Sequence, residues 1–255
     1  MEKHYLKDLE NKLIKILDIE SKRFEEYILD NINNIDFDDL EYSLQQLVIE
    51  YKKERKHDND GELIAVILLL KLAVGNKLYK ELKDAVPDIP DKFLDNILYG
   101  NIEGYNDDLK SLLSVYENIP ERFMSTFIDY YDTIENEEEY INNIYTKLQN
   151  YNRFHAVNSL GSIAADIENY YHRKLDLPPF EWMTQDDDIV RPTHAARFHK
   201  LFNEDGSMYD NSSTPDGKDI VPGEEEYCRC YRRYNKDLIQ KWWNIKKKEV
   251  ENIEI

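Results

Sequence analysis

The sequence predicts a mainly α chain, with an N-terminal helical bundle over residues 1–150, a small α+β or irregular module over 151–235, and a C-terminal helix over 236–255. Three observations predict it. Apolar residues recur at helical spacing through the first 150 positions. Six of the eight Gly and Pro residues beyond position 177 then crowd into 192–223, where short apolar pieces are divided by turns. The helical pattern returns from Lys236.

The elements follow in order. Leu6, Leu9, Leu13, Ile16 and Leu17 form one apolar stripe, continued after Ser21 by Phe24, Tyr27 and Ile28. The Asn- and Asp-rich run 31–36 breaks the helix. Leu40, Leu44, Leu47, Val48 and Tyr51 make the next stripe, and a charged connection over 52–61 ends in the turn residues Asn59-Asp60-Gly61. Leu63–Leu70 is the longest apolar run; it lies in the most apolar helix, 63–79, and is expected to be buried. Pro87 and Pro90 interrupt the chain, with Asp91 placed to cap the following helix. Leu109, Leu112, Leu113 and Tyr116 precede Pro120, and Met124, Phe127, Ile128 and Tyr131 follow it. The acidic run Glu135–Glu139 suits a solvated helix start, followed by Tyr140, Ile144 and Leu148. Residues 153–175 read as one more helix. Its small residues Ala156, Ser159, Gly161, Ser162, Ala164 and Ala165 permit close packing, and Leu177-Pro178-Pro179 stops it. Turns are expected at Asn203-Glu204-Asp205-Gly206 and Thr214-Pro215-Asp216-Gly217.

Charge and composition exclude several classes. The net charge of −19 repels nucleic-acid backbone from the molecule as a whole. The charge is uneven: residues 191–255 hold twelve basic and twelve acidic residues, so 1–190 carry the whole deficit, and 229–248 set eight basic residues against Asp237 alone. An apolar run of only eight residues and a mean hydropathy of −0.72 exclude a membrane-spanning helix. The charged start Met1-Glu2-Lys3-His4 lacks the apolar region of a secretory signal. Cys228 and Cys230, one residue apart, form no disulfide framework and point to a reducing compartment.

The informative stretch begins at Trp182. Trp182 and Thr184 lead through the acidic run Asp186–Asp188 to Arg191-Pro192 and His194; Pro222-Gly223 and Cys228-Arg229-Cys230 follow. This ordered set, over roughly residues 180–232, resembles the C-terminal module of the phage Mu F-like head morphogenesis family. The preceding helix, with Asn158 and Gly161, is also similar to the family's segment. The glycine that precedes the module's central Phe in the family is not present, since Phe198 follows Arg197 and Phe202 follows Leu201. The resemblance implies a non-enzymatic minor head protein acting in head morphogenesis and in DNA packaging or ejection. It implies residence in the virion near the portal, with the host cytoplasm as the place of assembly. The implied partners are the portal protein, the major capsid protein and packaged DNA, with no membrane.

Chemistry assigns roles to the same residues. Arg191 suits a charge-assisted clasp to Asp186–Asp188 or Glu224–Glu226, so that Asp188, Arg191 and His194 hold the module together; an anion clamp is the alternative. His194, Cys228 and Cys230 offer imidazole and thiolate to a structural zinc, with Glu225, His199 or water as a fourth donor. The competing reading is two buried thiols beside a hydrogen-bonded histidine. Cys228 as a nucleophile with His194 as base lacks an oxyanion hole and an ordered third member. Arg232, Arg233, Lys246, Lys247 and Lys248, beside Trp242-Trp243, are candidates for DNA or portal contact; alternatively this helix docks its tryptophans on the body and leaves lysines in water. A catalytic domain in the first 150 residues would have to work with His4, His57 and carboxylates, without a phosphate loop or metal set. A toxin or enzyme carrying a reused module, and a helical adaptor, are the competing functions.

Overall fold

The computed structural model describes residues 6–55, 60–99, 105–131, 137–184, 190–225, 228 and 230–251. The fold is mainly α with a small α+β module near the C-terminus. In chain order come α1 (Lys7–Asp30), α2 (Leu40–Glu54), α3 (Asp60–Ala85), α4 (Asp91–Leu98), α5 (Tyr105–Glu117), α6 (Ile119–Tyr131) and α7 (Glu137–Leu175). They are followed by β1 (Phe180–Met183), α8 (Pro192–Ala195), β2 (Leu201–Phe202), β3 (Tyr231–Tyr234) and α9 (Lys236–Glu251). The described residues fall into two compact units that cross the linear boundaries expected at 150 and 235. One takes residues of Lys7–Leu68 and Tyr105–Ser159; the other takes residues of Leu69–Gly104 and Leu160–Ile255.

In the first unit, α1, α2 and α6 pack on one another. Their apolar stripes form a core of Phe24, Ile28, Leu44, Leu47, Val48, Phe123 and Phe127, closed by Ile144 and Leu148 of α7. Phe24 meets Phe123 edge-on at 5.3 Å and Tyr51 at 4.9 Å, the favoured aromatic geometry. A carboxylate lies inside this apolar setting. Buried Glu20 accepts hydrogen bonds from the hydroxyls of Tyr51 (2.9 Å) and Tyr116 (2.7 Å) and pairs with Arg55 at 3.1 Å. The Arg55 guanidinium in turn lies 4.0 Å from the centre of the Tyr116 ring. Burial and the Glu20 charge push the Tyr51 hydroxyl well above its ordinary pKa.

Several expectations need correction. In the apolar run Leu63–Leu70, Leu68 and Leu69 are 48% and 42% exposed, because one helix cannot bury all sides of an eight-residue run. Asp91 is the first residue of α4 and makes no cap bond; its carboxylate instead accepts from Tyr79 at 2.8 Å and pairs with Lys83 at 2.5 Å. The two helices expected over 140–148 and 153–175 are one 39-residue helix, α7. The site where a break was expected holds Asn152, which is buried and donates to Asp18 (2.8 Å) and Ser21 (2.9 Å).

In the second unit α7 ends as expected ahead of Pro178: Asp176 takes a left-handed φ of 52°, and the Leu177 N–H closes on the His172 carbonyl at 3.0 Å. The chain then enters a three-stranded antiparallel sheet of order β2-β1-β3. Phe180 pairs with Phe202, Trp182 with Arg232, and Glu181 with Arg233. Alternation buries Phe180 and Trp182 and leaves Glu181 facing Arg233, whose Nε donates to it at 2.8 Å. On α9 the Trp242 indole donates to the Leu175 carbonyl at 3.1 Å and Trp243 lies 5.7 Å from Phe93. The tryptophans are docked, and Lys247 and Lys248 are exposed.

Two predictions follow from these buried polar groups. Replacing Glu20 by Ala strands the Arg55 guanidinium and two hydroxyls in the core. Urea denaturation of E20A is expected to show a loss of about 3–5 kcal/mol, and E20Q is expected to lose less. The second concerns His172, buried with its Nδ1 3.0 Å from the Tyr234 hydroxyl. Burial first, then the Arg232 and Arg173 guanidinium charges, lower its pKa from 6.5 to about 4, against the opposing charge of Asp176. The unfolded chain binds this proton from about pH 6.5, so its contribution is complete above that pH and is lost as the pH falls towards 4. At pH 4 the loss reaches roughly 3 kcal/mol. Denaturation curves between pH 7 and 4 are expected to show H172Q losing less stability than the parent by that order.

Candidate functional site

The residues singled out after Trp182 meet in the second unit. α8 begins at Pro192, whose fixed φ suits a first helical turn, and this short turn presents His194 inward, 3% exposed. The His194 ring packs edge-on against Trp182 with centres 5.4 Å apart. Its Nε2 lies 2.9 Å from Glu225 Oε2, the oxygen that also accepts from Arg191 Nη1 at 2.9 Å. Of the two acidic runs weighed for the clasp, the described contacts of Arg191 and His194 go to Glu225 of the 224–226 run. Asp188, with Asp186 and Asp187, lies outside the described residues, as do Arg229, His4 and His57.

The other imidazole nitrogen, Nδ1, faces sulfur. Cys228 Sγ is 3.6 Å away and Cys230 Sγ 3.5 Å away. The three donor atoms lie within 4.8 Å of one another. The Gly223 N–H donates to Cys228 Sγ at 3.2 Å. The hydrogen bond from Cys230, helped by His194 and this N–H against the effect of burial, holds the Cys228 thiol well below its ordinary pKa. Cys230 is pushed up by sharing a proton with Cys228 and by burial. His194 is raised by its bond to Cys228 and its contact with Glu225, against burial, and Glu225 is lowered by His194 and Lys218. His199, weighed as a further donor, is exposed and turned to Glu181 at 2.6 Å.

The cysteines are positioned by the α7 backbone. Gly223 has φ +88°; a Cβ there would lie 2.5 Å from the Ala165 Cβ and 2.9 Å from the Gly161 carbonyl. A Cβ on Gly161 would in turn meet the Cys228 carbonyl at 3.3 Å. The small residues of α7 thus receive Gly223 and the Cys228 backbone, as their clustering suggests. Gly206, φ +84°, is as tightly placed, with Ile220 backbone atoms 2.4 to 2.6 Å from where a Cβ would stand.

Of the candidates for DNA or portal contact, Arg232 is fully buried and is removed from the set. Its guanidinium lies 4.4 Å from the Phe180 ring centre and donates to Asn169. The reason is register: opposite Trp182 on β3, its side chain falls on the inward face. Arg233 is outward but paired with Glu181, and Lys246 pairs with Asp176 at 3.3 Å. Sequence reasoning missed Arg197, which is also fully buried. It stands 5.1 Å from the Trp182 and 5.4 Å from the Phe202 ring centres, donates to the Lys218 carbonyl at 2.7 Å and is held by Asp216. The turn at Thr214–Gly217 was the available signal, since it delivers Asp216. Of the two Phe residues that could be central, Phe202 is buried and Phe198 is 39% exposed.

A cleft of about 300 Å³ lies beside the turn, lined by Asp166, Glu204, Asp205, Asp219, Glu224 and Arg173 among others. Burial, with Glu224 nearby, raises the Asp166 carboxyl against the pull of Arg173. The described lining residues include neither His nor Cys.

In comparisons with known proteins, no family model matches the chain, and no curated protein and no solved structure is found similar to it.

The packing of the turn predicts that Gly223→Ala destabilises the second unit by roughly 2–4 kcal/mol, from the left-handed backbone and the clash with Ala165 together. Thermal unfolding checks this; A165G is expected to recover part of the loss.

Proposed function

We propose that the chain is a non-enzymatic minor head protein of a tailed phage, associated with the portal and major capsid proteins during head morphogenesis and carried in the virion near the portal. One observation supports this reading most. The residues of the Mu F-like resemblance are spread over 182–230 in sequence, yet Trp182, Arg191, His194, Gly223, Cys228 and Cys230 converge on one cluster, with His194, Trp182 and Cys228 buried. An ordered motif whose members support one another is a folding unit, and the resemblance then applies to a module rather than to scattered matches. The charge distribution suits the same role. A chain of net charge −19 stays off packaged DNA over most of its surface and complements a basic protein partner. The contact set consists of Arg233, Lys246, Lys247 and Lys248, with Arg232 excluded by burial.

The test is capture of the portal and major capsid proteins encoded beside this chain, with full-length protein as bait and salt varied. Binding that weakens as salt rises is expected, together with a loss of about tenfold in the K247E/K248E double variant. Failure to capture either protein at any salt, with the chain absent from purified virions, overturns the reading.

A further inference from the structure

We propose that His194, Cys228 and Cys230 bind a single zinc ion through His194 Nδ1 and the two Sγ atoms, with Glu225 and Arg191 orienting the imidazole. The inference stands on side-chain geometry and does not depend on the head-protein reading. A tetrahedral zinc with bonds of about 2.3 Å to sulfur and 2.0–2.1 Å to nitrogen places S and N about 3.6 Å apart. The two sulfurs lie 3.6 and 3.5 Å from Nδ1. Both sulfurs converge on the same ring nitrogen.

The surroundings are those of a ligating histidine. Nε2 is committed to the Glu225 carboxylate at 2.9 Å, which fixes the proton on Nε2 and leaves the Nδ1 lone pair aimed at the sulfurs. Glu225 is itself held by Arg191 at 2.9 Å and Lys218 at 3.5 Å. The Gly223 N–H stabilises negative charge on Cys228 at 3.2 Å.

Charge points the same way. Two cysteines this close do not both ionise unaided in a buried pocket, and a divalent cation would neutralise both thiolates. Two thiolates and an imidazole form a soft to borderline donor set, which selects zinc over magnesium or calcium. The fourth donor is an oxygen, from water or a carboxylate. The ion would tie α8 to the start of β3 across a stretch whose described residues include only the two-residue strand β2, where a metal adds most to a small core.

The experiment uses the full-length chain, purified after zinc supplementation and dialysed. About one zinc per chain is expected by elemental analysis. Cobalt substitution is expected to give the near-ultraviolet thiolate-to-cobalt charge-transfer band and tetrahedral visible bands. C228S and C230S should each lose the metal. E225Q should keep the stoichiometry but compete with a chelator roughly 10–100-fold less well, and E225D should recover part of that loss. If the cysteine variants fail to fold, the parent still decides: its two thiols should resist a thiol reagent until a chelator is added. A parent chain that takes up no zinc in excess metal overturns the proposal. So do thiols that react equally with and without chelator, or bound metal without a thiolate band, which would place the ion elsewhere, as in the acidic cleft at Asp166.

Discussion

The arrangement of the C-terminal module rests on one close approach of backbone to backbone. At Gly161 and Ala165 the surface of α7 has no side chain longer than a methyl, and the turn at Gly223 lies directly on it. The approach lets the Gly223 N–H reach the Cys228 sulfur and sets the Cys228 carbonyl over Gly161. From there the position of the sulfurs is fixed from below, and His194 meets them from α8 above the Trp182 ring. The clasp from Arg191 to Glu225 closes the same loop from outside. Each of these contacts presupposes that the turn has seated. A larger residue at 161, 165 or 223 would lift the turn and separate the sulfurs from the imidazole together.

A second constraint runs through both units: among the described residues, the buried charges of Glu20, Arg197, Arg232 and Lys77 each have polar or aromatic partners, although some guanidinium nitrogens of Arg197 and Arg232 have no hydrogen bond. Glu20 has two hydroxyls and Arg55; Arg197 has Asp216, a carbonyl and two aromatic faces; Arg232 has Asn169 and the Phe180 face; Lys77 has Glu168 at 2.7 Å and the Arg232 carbonyl at 2.8 Å. Such pairs add little net stability over well-packed apolar residues of the same size, because desolvation offsets most of their attraction. They do make alternatives unfavourable. A slip of β3 by one residue would turn Arg232 to solvent and carry Arg233, away from Glu181, into the aromatic core.

Helix existence was legible in the sequence and helix extent was not, and α7 shows why. Its buried line steps mostly by four residues, through Ile144, Leu148, Asn152, Ala156, Leu160, Ile163, Ile167, Tyr171 and Leu175. Each four-residue step drifts about 40° round the helix, so the apolar stripe winds and no single face persists. Third in the line stands Asn152, polar by type but satisfied by Asp18 and Ser21. Pattern reasoning reads that position as a gap. The reverse error occurs at Leu68 and Leu69, where a run without periodicity carries no information about which side faces in. At the site, residue type made His194, Cys228, Cys230 and Arg191 visible. Arg197 and Arg232 were invisible because arginine is rarely buried, and only the strand register and the turn at Asp216 reveal that these two are.

The same physics explains how a core-poor stretch holds one conformation. Among the described residues between Pro192 and Cys230 the regular elements are one helical turn and a two-residue strand, too little to bury much apolar surface. What fixes the chain instead is a set of short-range directional contacts around Trp182: a cation on one side at Arg197, an imidazole edge on another at His194, and Phe202 packed 5.6 Å away. Directional contacts specify geometry more sharply than apolar burial does, but each contributes only about a kilocalorie per mole after desolvation. A module built this way is defined in shape and modest in stability. A divalent ion joining His194 to the two sulfurs would supply free energy at the point where the directional contacts already converge. It would add to stability without altering the shape that those contacts define.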